Sequence, residues 1–152
     1  MSKFTRDLVE FRQGEELAKF ILYEDFGILV SSEGKCPSYD LKGEYLFEVK
    51  TDRYSKKSGN ICVEYQTKSG CDSGITSTKS DYYFVICYVG NLWIGCLIKT
   101  DVLRGLVFLC DRTTTYGGDR GNVKMKLIKI SEVLPFAEKI YKLPKGCFIY
   151  DY

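Results

Sequence analysis

Asp40, Glu48 and Lys50 are the side chains whose types and spacing are best suited to joint chemistry. They lie in the stretch 38–50, Ser-Tyr-Asp-Leu-Lys-Gly-Glu-Tyr-Leu-Phe-Glu-Val-Lys, which reads as two short strands joined at Lys42-Gly43-Glu44. Side chains alternate across a strand, so Leu46, Glu48 and Lys50 share one face and Phe47 and Val49 the other. A hairpin centred near Glu44 sets Asp40 opposite Glu48. Two carboxylates held together repel unless a cation or a proton lies between them. A lysine beside them is a group that can orient and deprotonate a water. Glu-Val-Lys on a strand is also an ordinary exposed ion pair, so the surrounding elements decide how it is read.

Composition narrows the chemistry. The 152 residues fit one domain, 1–152, and 45% hydrophobic with 14% aromatic residues is the content of a folded globular chain. Lys plus Arg number 22 against 20 acids, so no global field attracts nucleic acid and any such binding must come from local basic patches. There is no histidine, which excludes Ser-His-Asp and Cys-His nucleophilic sites and histidine-based zinc hydrolases. The seven cysteines include no C-x-x-C pair, which argues against zinc. Cys62, Cys87 and Cys96 fall in apolar runs, where a thiol behaves as a small buried hydrophobe. No G-x-x-x-x-G-K-[ST] loop is present. Residues 1–7 have no signal-peptide core and no apolar run reaches membrane-spanning length, so the expectation is an intracellular protein with no membrane partner. Hydrolytic chemistry here must run on carboxylates, lysine, tyrosine or an oxygen-bound metal.

The elements that would position the hairpin follow from periodicity. Phe4, Leu8, Phe11, Ala18, Ile21 and Leu22 recur at helical spacing over 5–26, with Gly27 as the stop. Gln13-Gly14-Glu15-Glu16 interrupts that apolar stripe. Residues 28–30 are a short extended run before a turn-rich loop at 31–35. A polar, basic connection at 52–59 precedes an alternating strand at 60–67, expected beside the Glu48 strand, with Glu64 and Gln66 on one face. Residues 68–79 hold at most a short helix near 75–79. The run 81–89 is nearly continuous in β-formers, as in a strand buried on both faces. Gly90-Asn91 turns it into 92–98. Thr100-Asp101 reads as an N-cap for a helix over 102–109, and 111–122 as irregular chain. Residues 123–130 alternate apolar residues with lysine, as in an edge strand. A last short helix is expected at 135–142 and an extended tail at 146–152. The whole is an α/β (α+β) domain, a mixed central sheet of core order α-β-β-β-α-β flanked by helices, with the core over about 5–98 and a C-terminal elaboration over 99–152.

Asp40 and Glu48-Val49-Lys50, set in that order of elements, resemble the PD-(D/E)XK nuclease superfamily with its restriction-endonuclease-like fold, and in particular its small phage- and resolvase-like members. The family's proline is displaced to Pro37, and Tyr39 occupies the residue before the Asp. The likeness covers about 12–98, including Ser73-Gly74-Ile75 through Asp81-Tyr82-Tyr83-Phe84-Val85-Ile86. It implies a divalent-metal-dependent nuclease hydrolysing phosphodiester bonds, with DNA favoured as the partner over RNA. Asp40, Glu48 and the carbonyl of Val49 would bind Mg2+, which Mn2+ would replace, since oxygen ligands suit a hard cation. Lys50 would orient the attacking water, and Glu16 of the first helix, with Glu15 as the neighbouring alternative, would act through waters on the metal. Glu64 would hold a second metal or position Lys50, against a reading as a structural acid at the sheet rim.

Substrate grip would fall to Arg53, Lys56, Lys57, Lys68 and Lys79 on loops, to Gln66, Thr76 and Thr78, and to Arg112, Tyr116 and Arg120 in the glycine-rich segment. Cutting two strands at once would call for a homodimer. Two other readings stand beside this one: a catalytically inactive nucleic-acid- or protein-binding module on the same fold, and an unrelated α/β protein with Glu48 and Lys50 as a surface ion pair. Asp40 and Glu48 on opposite sheet faces would favour the last.

Overall fold

The computed structural model describes residues 3–27, 30–31, 38–109 and 111–147. Helix α1 spans Lys3–Phe26 and buries Ala18 and Leu22 completely; the side chains of Phe4, Leu8 and Phe11 lie outside the described ones. It ends where expected, with the Gly27 N–H donating to the Tyr23 carbonyl at 3.0 Å and Gly27 at φ 82°. Strands β1 (Val30–Ser31), β2 (Leu41–Lys42) and β3 (Leu46–Thr51) form an antiparallel meander. Ile28, Leu29, most of the 31–35 loop and Pro37 lie outside the described residues.

After β3 come the one-turn helix α2 (Ser55–Ser58), strand β4 (Asn60–Thr67) and a 3-10 turn at Gly74–Thr76. Strand β5 (Tyr82–Val89) returns parallel to β3, and Gly90-Asn91 leads into β6 (Leu92–Lys99), antiparallel to it. Then follow α3 (Thr100–Phe108), β7 (Thr114–Gly117), a 3-10 turn at Asp119–Gly121, β8 (Val123–Lys129), α4 (Ile130–Val133), a 3-10 turn at Leu134–Phe136 and β9 (Lys139–Lys142). The described strands form two sheets, ordered β1-β2-β3-β5-β6-β9 and β4-β8-β7. The protein is mixed α+β, with helices packed on a mixed sheet.

β5 is the centre of the packing. Its alternate residues Tyr82, Phe84 and Ile86 join Phe47 and Val49 of β3 against Ala18 and Leu22 of α1. Its other residues, Tyr83, Val85 and Cys87, face Ile61 and Val63 of β4, Leu103 and Val107 of α3 and Ile128 of β8. A strand buried on both sides needs apolar residues at every position, which is why 81–89 is legible as such. Cys87 and Cys96 are buried and inert: burial pushes their thiols up to about 12 and about 11. Cys62 is only partly buried and is raised to about 11 by burial and by Asp52.

Several elements differ from expectation. Strand 60–67 does not pair with the Glu48 strand, because β5 takes that edge of β3; β4 pairs with β8 in the second sheet. The Asp52 carboxylate fixes this departure, accepting the N–H of Cys62 at 2.7 Å and of Ser55 at 3.2 Å. Strand β8 is therefore central in its sheet rather than an edge. Its lysines remain half-exposed because their long stems carry the ammonium outward. The segment expected to be irregular supplies β7. Thr100 lies inside α3, whose N-cap is Lys99 with no side-chain cap bond. No α-helix forms over 135–142: Pro135 lies within the 3-10 turn Leu134–Phe136, and Lys139–Lys142 extends to pair with β6. Of the expected tail, 148–152 lie outside the described residues.

Candidate active site

The hairpin register places the two acids together. Leu41 pairs with Phe47 and Lys42 with Leu46, and the Asp40 N–H donates to the Phe47 carbonyl at 2.9 Å. That bond is one residue out of step with the Leu41–Phe47 pair, so the regular register ends at Leu41 and Asp40 lies alongside the Phe47–Val49 segment. Strand β3 runs on to Thr51, and among the described residues no strand pairs with it on the β2 side beyond Phe47. Asp40 fills the start of that open edge: its Oδ2 accepts the Val49 N–H at 2.7 Å. The N–H and C=O of one strand residue point to the same side, so the Val49 carbonyl also faces the open edge. Glu48 and Lys50 share the opposite-facing row from Phe47 and Val49, with Lys50 Nζ 2.7 Å from Glu48 Oε1. The Glu48 side chain keeps 12% of its exposure and that of Lys50 39%. This pair is sunk into the sheet, not spread on a solvated face.

Three further elements close on it. On α1, the acid in the field of Asp40, Lys50 and Glu48 is Glu15; burial first, then Asp40, raises its pKa. Glu16 is exposed one position on, so the expected helix glutamate is corrected to its neighbour. The phase is set by Gly14, buried where a Cβ would overlap Thr51 Oγ1. Close approach at that glycine brings Glu15 to the end of β3.

Glu64 arrives on β4 from the second sheet rather than from a strand beside β3, yet its charge acts on both Glu48 and Lys50. The Ser73 hydroxyl donates to Glu64 Oε1. Gly74, at φ +54°, sits where a Cβ would overlap the Glu64 carbonyl oxygen. Glycine there satisfies both the left-handed backbone and the close approach.

The third contribution, Tyr83 on β5, was not anticipated. The parallel register sets it abreast of Glu48, and it is 2% exposed. Burial and then Glu48, Glu64 and Asp40 push its phenol far above the ordinary range, so it stays protonated. Its signal in the sequence was the Tyr82-Tyr83 pair, one ring for each sheet face.

Two causes set the electrostatics: burial first, and then an excess of acids over the one lysine. Burial raises Glu48, Lys50 opposes it, and Asp40 and Glu64 reinforce the rise. Burial alone would lower Lys50, but Glu48, Asp40 and Glu64 outweigh it and hold the ammonium charged. The cluster is a negative site with a fixed internal cation.

The expected substrate residues divide. Arg53, Lys57, Lys68 and Lys79 are exposed. The Lys79 N–H donates to the Ser38 carbonyl at 3.1 Å, placing Lys79 beside the Asp40 segment. Lys56 lies over the Tyr88 ring. Tyr116 is 58% exposed, and Arg120 is exposed at φ 56°. Four others are engaged within the fold. Thr76 Oγ1 donates to the Tyr65 carbonyl at 2.6 Å, and Thr78 Oγ1 to the Ser38 carbonyl at 3.2 Å. Gln66 bonds to the Gly70 carbonyl and accepts Lys124 Nζ. Arg112 is 9% exposed in its side chain and bonds to Glu132 and to the Leu106 carbonyl. Their hydroxyl, amide and guanidinium groups hold loops in place. Arg104 was missed: its charge reaches Tyr83, and it anchors to the Ile75 carbonyl at 3.1 Å.

Among the described residues no group of three or more His, Cys, Asp or Glu side chains is arranged to hold a metal ion. What the hairpin offers is two carboxylates, Asp40 acting on Glu48 through its charge, and one edge carbonyl. Mg2+ is commonly held by one or two carboxylates and completed by waters and phosphate, so an all-oxygen pair fits that ion and leaves room for substrate. Among the described residues no helix is long and apolar enough to cross a membrane. Compared with protein-family models, curated proteins and solved structures, the chain matches none.

Proposed function

We propose that the protein is a divalent-metal-dependent nuclease hydrolysing phosphodiester bonds of nucleic acid, DNA before RNA, resembling the PD-(D/E)XK family in its Asp40 and Glu48-Val49-Lys50. One observation carries this reading: Asp40 Oδ2 accepts the Val49 N–H of β3 at 2.7 Å, between Glu48 and Lys50 in sequence, with Lys50 Nζ 2.7 Å from Glu48. The order α1, antiparallel meander, buried β5 supports it, although a short helix, β4 and a 3-10 turn occupy the crossover where the family has a helix.

Asp40, Glu48 and the Val49 carbonyl would hold Mg2+ or Mn2+, and a bound ion supplies Lewis-acid charge at the phosphate and a more acidic water. The chain's own residues do the rest. Lys50, kept charged by the surrounding acids, orients a water by donating to it and offsets negative charge building on the phosphoryl oxygens; it acts as a fixed charge, not as a base. Glu15, on which the charges of Asp40 and Lys50 act, would accept from waters of the site. Exposed Lys79 beside the Asp40 segment, with Arg53 and Lys57 beyond the end of β3, grips phosphates without reading sequence.

Labelled single- and double-stranded DNA and RNA incubated with Mg2+ test the reading. Cleavage is expected with Mg2+ or Mn2+, abolished by chelator and lowered at least about 100-fold by Asp40→Asn or Lys50→Ala. Cleavage that persists in both variants overturns the mechanism. A second reading, a binding module without catalysis, draws on the absence of a three-ligand group among the described residues. Retention of DNA without any divalent ion, and no cleavage with one, selects it.

A further inference from the structure

The most unusual polar group in the molecule is the hydroxyl of Tyr83. Tyr83 is 2% exposed, and its hydroxyl is buried with no hydrogen-bond partner in this structure. Its apolar neighbours are Val85 and Cys87 on its own strand, and Ile61, Val63 and Leu103 across from it. A phenylalanine would fill that space without an orphaned hydroxyl, and a buried polar group left unpaired opposes folding. Packing therefore explains the ring and not the oxygen.

The oxygen's surroundings supply an explanation. Tyr83 stands abreast of Glu48 in the β3–β5 register, and the charges that act on it are Glu48, Glu64 and Asp40, with Arg104 opposing. A phenol has one proton to donate, and carboxylates are acceptors only. The two acids nearest in effect come from different sheets: Glu48 from β3, held on one side by Lys50, and Glu64 from β4, held on one side by Ser73. Tyr83, on β5, stands beside the first of them and packs into the same core as Ile61 and Val63 of the strand that carries the second.

We propose that Tyr83 is a positioning residue of the metal site, its hydroxyl donating to a water that it shares with the carboxylates of Glu48 and Glu64, and so fixing Glu48 for a divalent cation. This rests on the reading of Asp40 and Glu48 as metal ligands. Partners of this kind orient a ligating carboxylate, and their loss typically lowers metal affinity or activity about 10–100-fold.

Tyr83→Phe tests it on the intact protein, with Mn2+ and Mg2+ alone as probes. Calorimetric titration should show Mn2+ affinity weakened about tenfold or more, while the thermal midpoint of the metal-free variant stays level or rises, because the orphaned hydroxyl is gone. On DNA, kcat should fall with KM unchanged, since Tyr83 is buried away from substrate. In a double-mutant cycle, Tyr83→Phe and Glu64→Gln should be non-additive in Mn2+ affinity. If the parent binds Mn2+ and Tyr83→Phe binds it equally well, the inference falls and the nuclease reading stands. If the parent binds no divalent cation, both fall. A variant that loses affinity only in proportion to a lowered thermal midpoint also overturns the inference, marking Tyr83 as structural.

Discussion

Glu48 carries opposite demands from folding and from function. Burial, reinforced by Asp40 and Glu64, lifts its pKa despite Lys50. A carboxyl lifted in this way contributes most to stability while protonated, below the ordinary glutamate pKa, and that contribution is lost as pH rises through the lifted value. At neutral pH the ionised carboxylate therefore works against the fold. Glu48→Gln keeps the shape and an acceptor for Lys50 Nζ, so it should abolish metal-dependent cleavage and yet stabilise the metal-free protein by about 1 kcal/mol, on the order of 2–4 °C. The gain should vanish near about pH 4, where the parent glutamate is protonated as well. Thermal melts of both proteins across pH check this, and a variant less stable at pH 7 would show that the Lys50 pairing outweighs burial. Asp40, Glu48 and Lys50 were legible because strand alternation and a hairpin centre determine which side chains meet. Glu15 against Glu16 was not, since one residue turns a helix by about 100° and the Gly14–Thr51 contact that sets the phase is tertiary. Tyr83 was hidden for a similar reason: no local pattern tells which β3 residue stands beside it.

At the level of elements, the site depends on how closely α1 crosses the end of β3. Gly14 is an intrinsically poor helix residue, about 1 kcal/mol below alanine, and its justification is the Thr51 side chain pressed against it. Gly14→Ala should therefore fail to give the usual helix gain: overpacking costs about 1–3 kcal/mol, and α1 moves off, carrying Glu15 from Asp40 and lowering cleavage. Thr51→Ala removes the obstructing oxygen. Combined with Gly14→Ala it should recover stability and activity together, with a coupling of about 1 kcal/mol in a denaturant-melt cycle; strict additivity would show that the contact does not set the helix position. Elsewhere, legibility followed how locally each element is determined. The β5–β6 hairpin was readable from its apolar run and Gly90-Asn91. For β8, alternating lysines signalled one exposed face but not whether one neighbour or two would pair with it. Lys126 illustrates the difficulty, since its ammonium leaves the sheet to bond the Arg112 carbonyl at 3.2 Å and Thr114 Oγ1 at 2.8 Å. The failure of a helix at 135–142 came from a partner distant in sequence, the free edge of β6, which holds Lys139–Lys142 extended.

For the molecule as a whole, a net charge of +2 means that binding to nucleic acid must come from where the charges lie. Glu15, Asp40, Glu48 and Glu64 are half-buried in the region of Lys50, whereas Lys57, Lys68 and Lys79 are exposed on separate connections. Each such lysine that contacts a phosphate releases a counterion on binding, so affinity should fall with salt by a slope of about 0.7–0.9 per contact on a logarithmic plot. Measured with the cleavage-deficient Asp40→Asn protein between about 50 and 200 mM salt, replacement of Lys57, Lys68 or Lys79 by alanine should each reduce the slope by about that amount, similarly for all sequences. Replacement of Lys124 should change it less, because its ammonium is already bonded to Gln66 at 2.9 Å. An unchanged slope in the triple variant would mean that these loops do not touch the backbone and that substrate enters from the β7–β8 side, past Tyr116. A reduced slope with full single-turnover cleavage at low salt would instead separate the two roles: lysines that hold the strand, and a half-buried cluster of acids that acts on it once it is held.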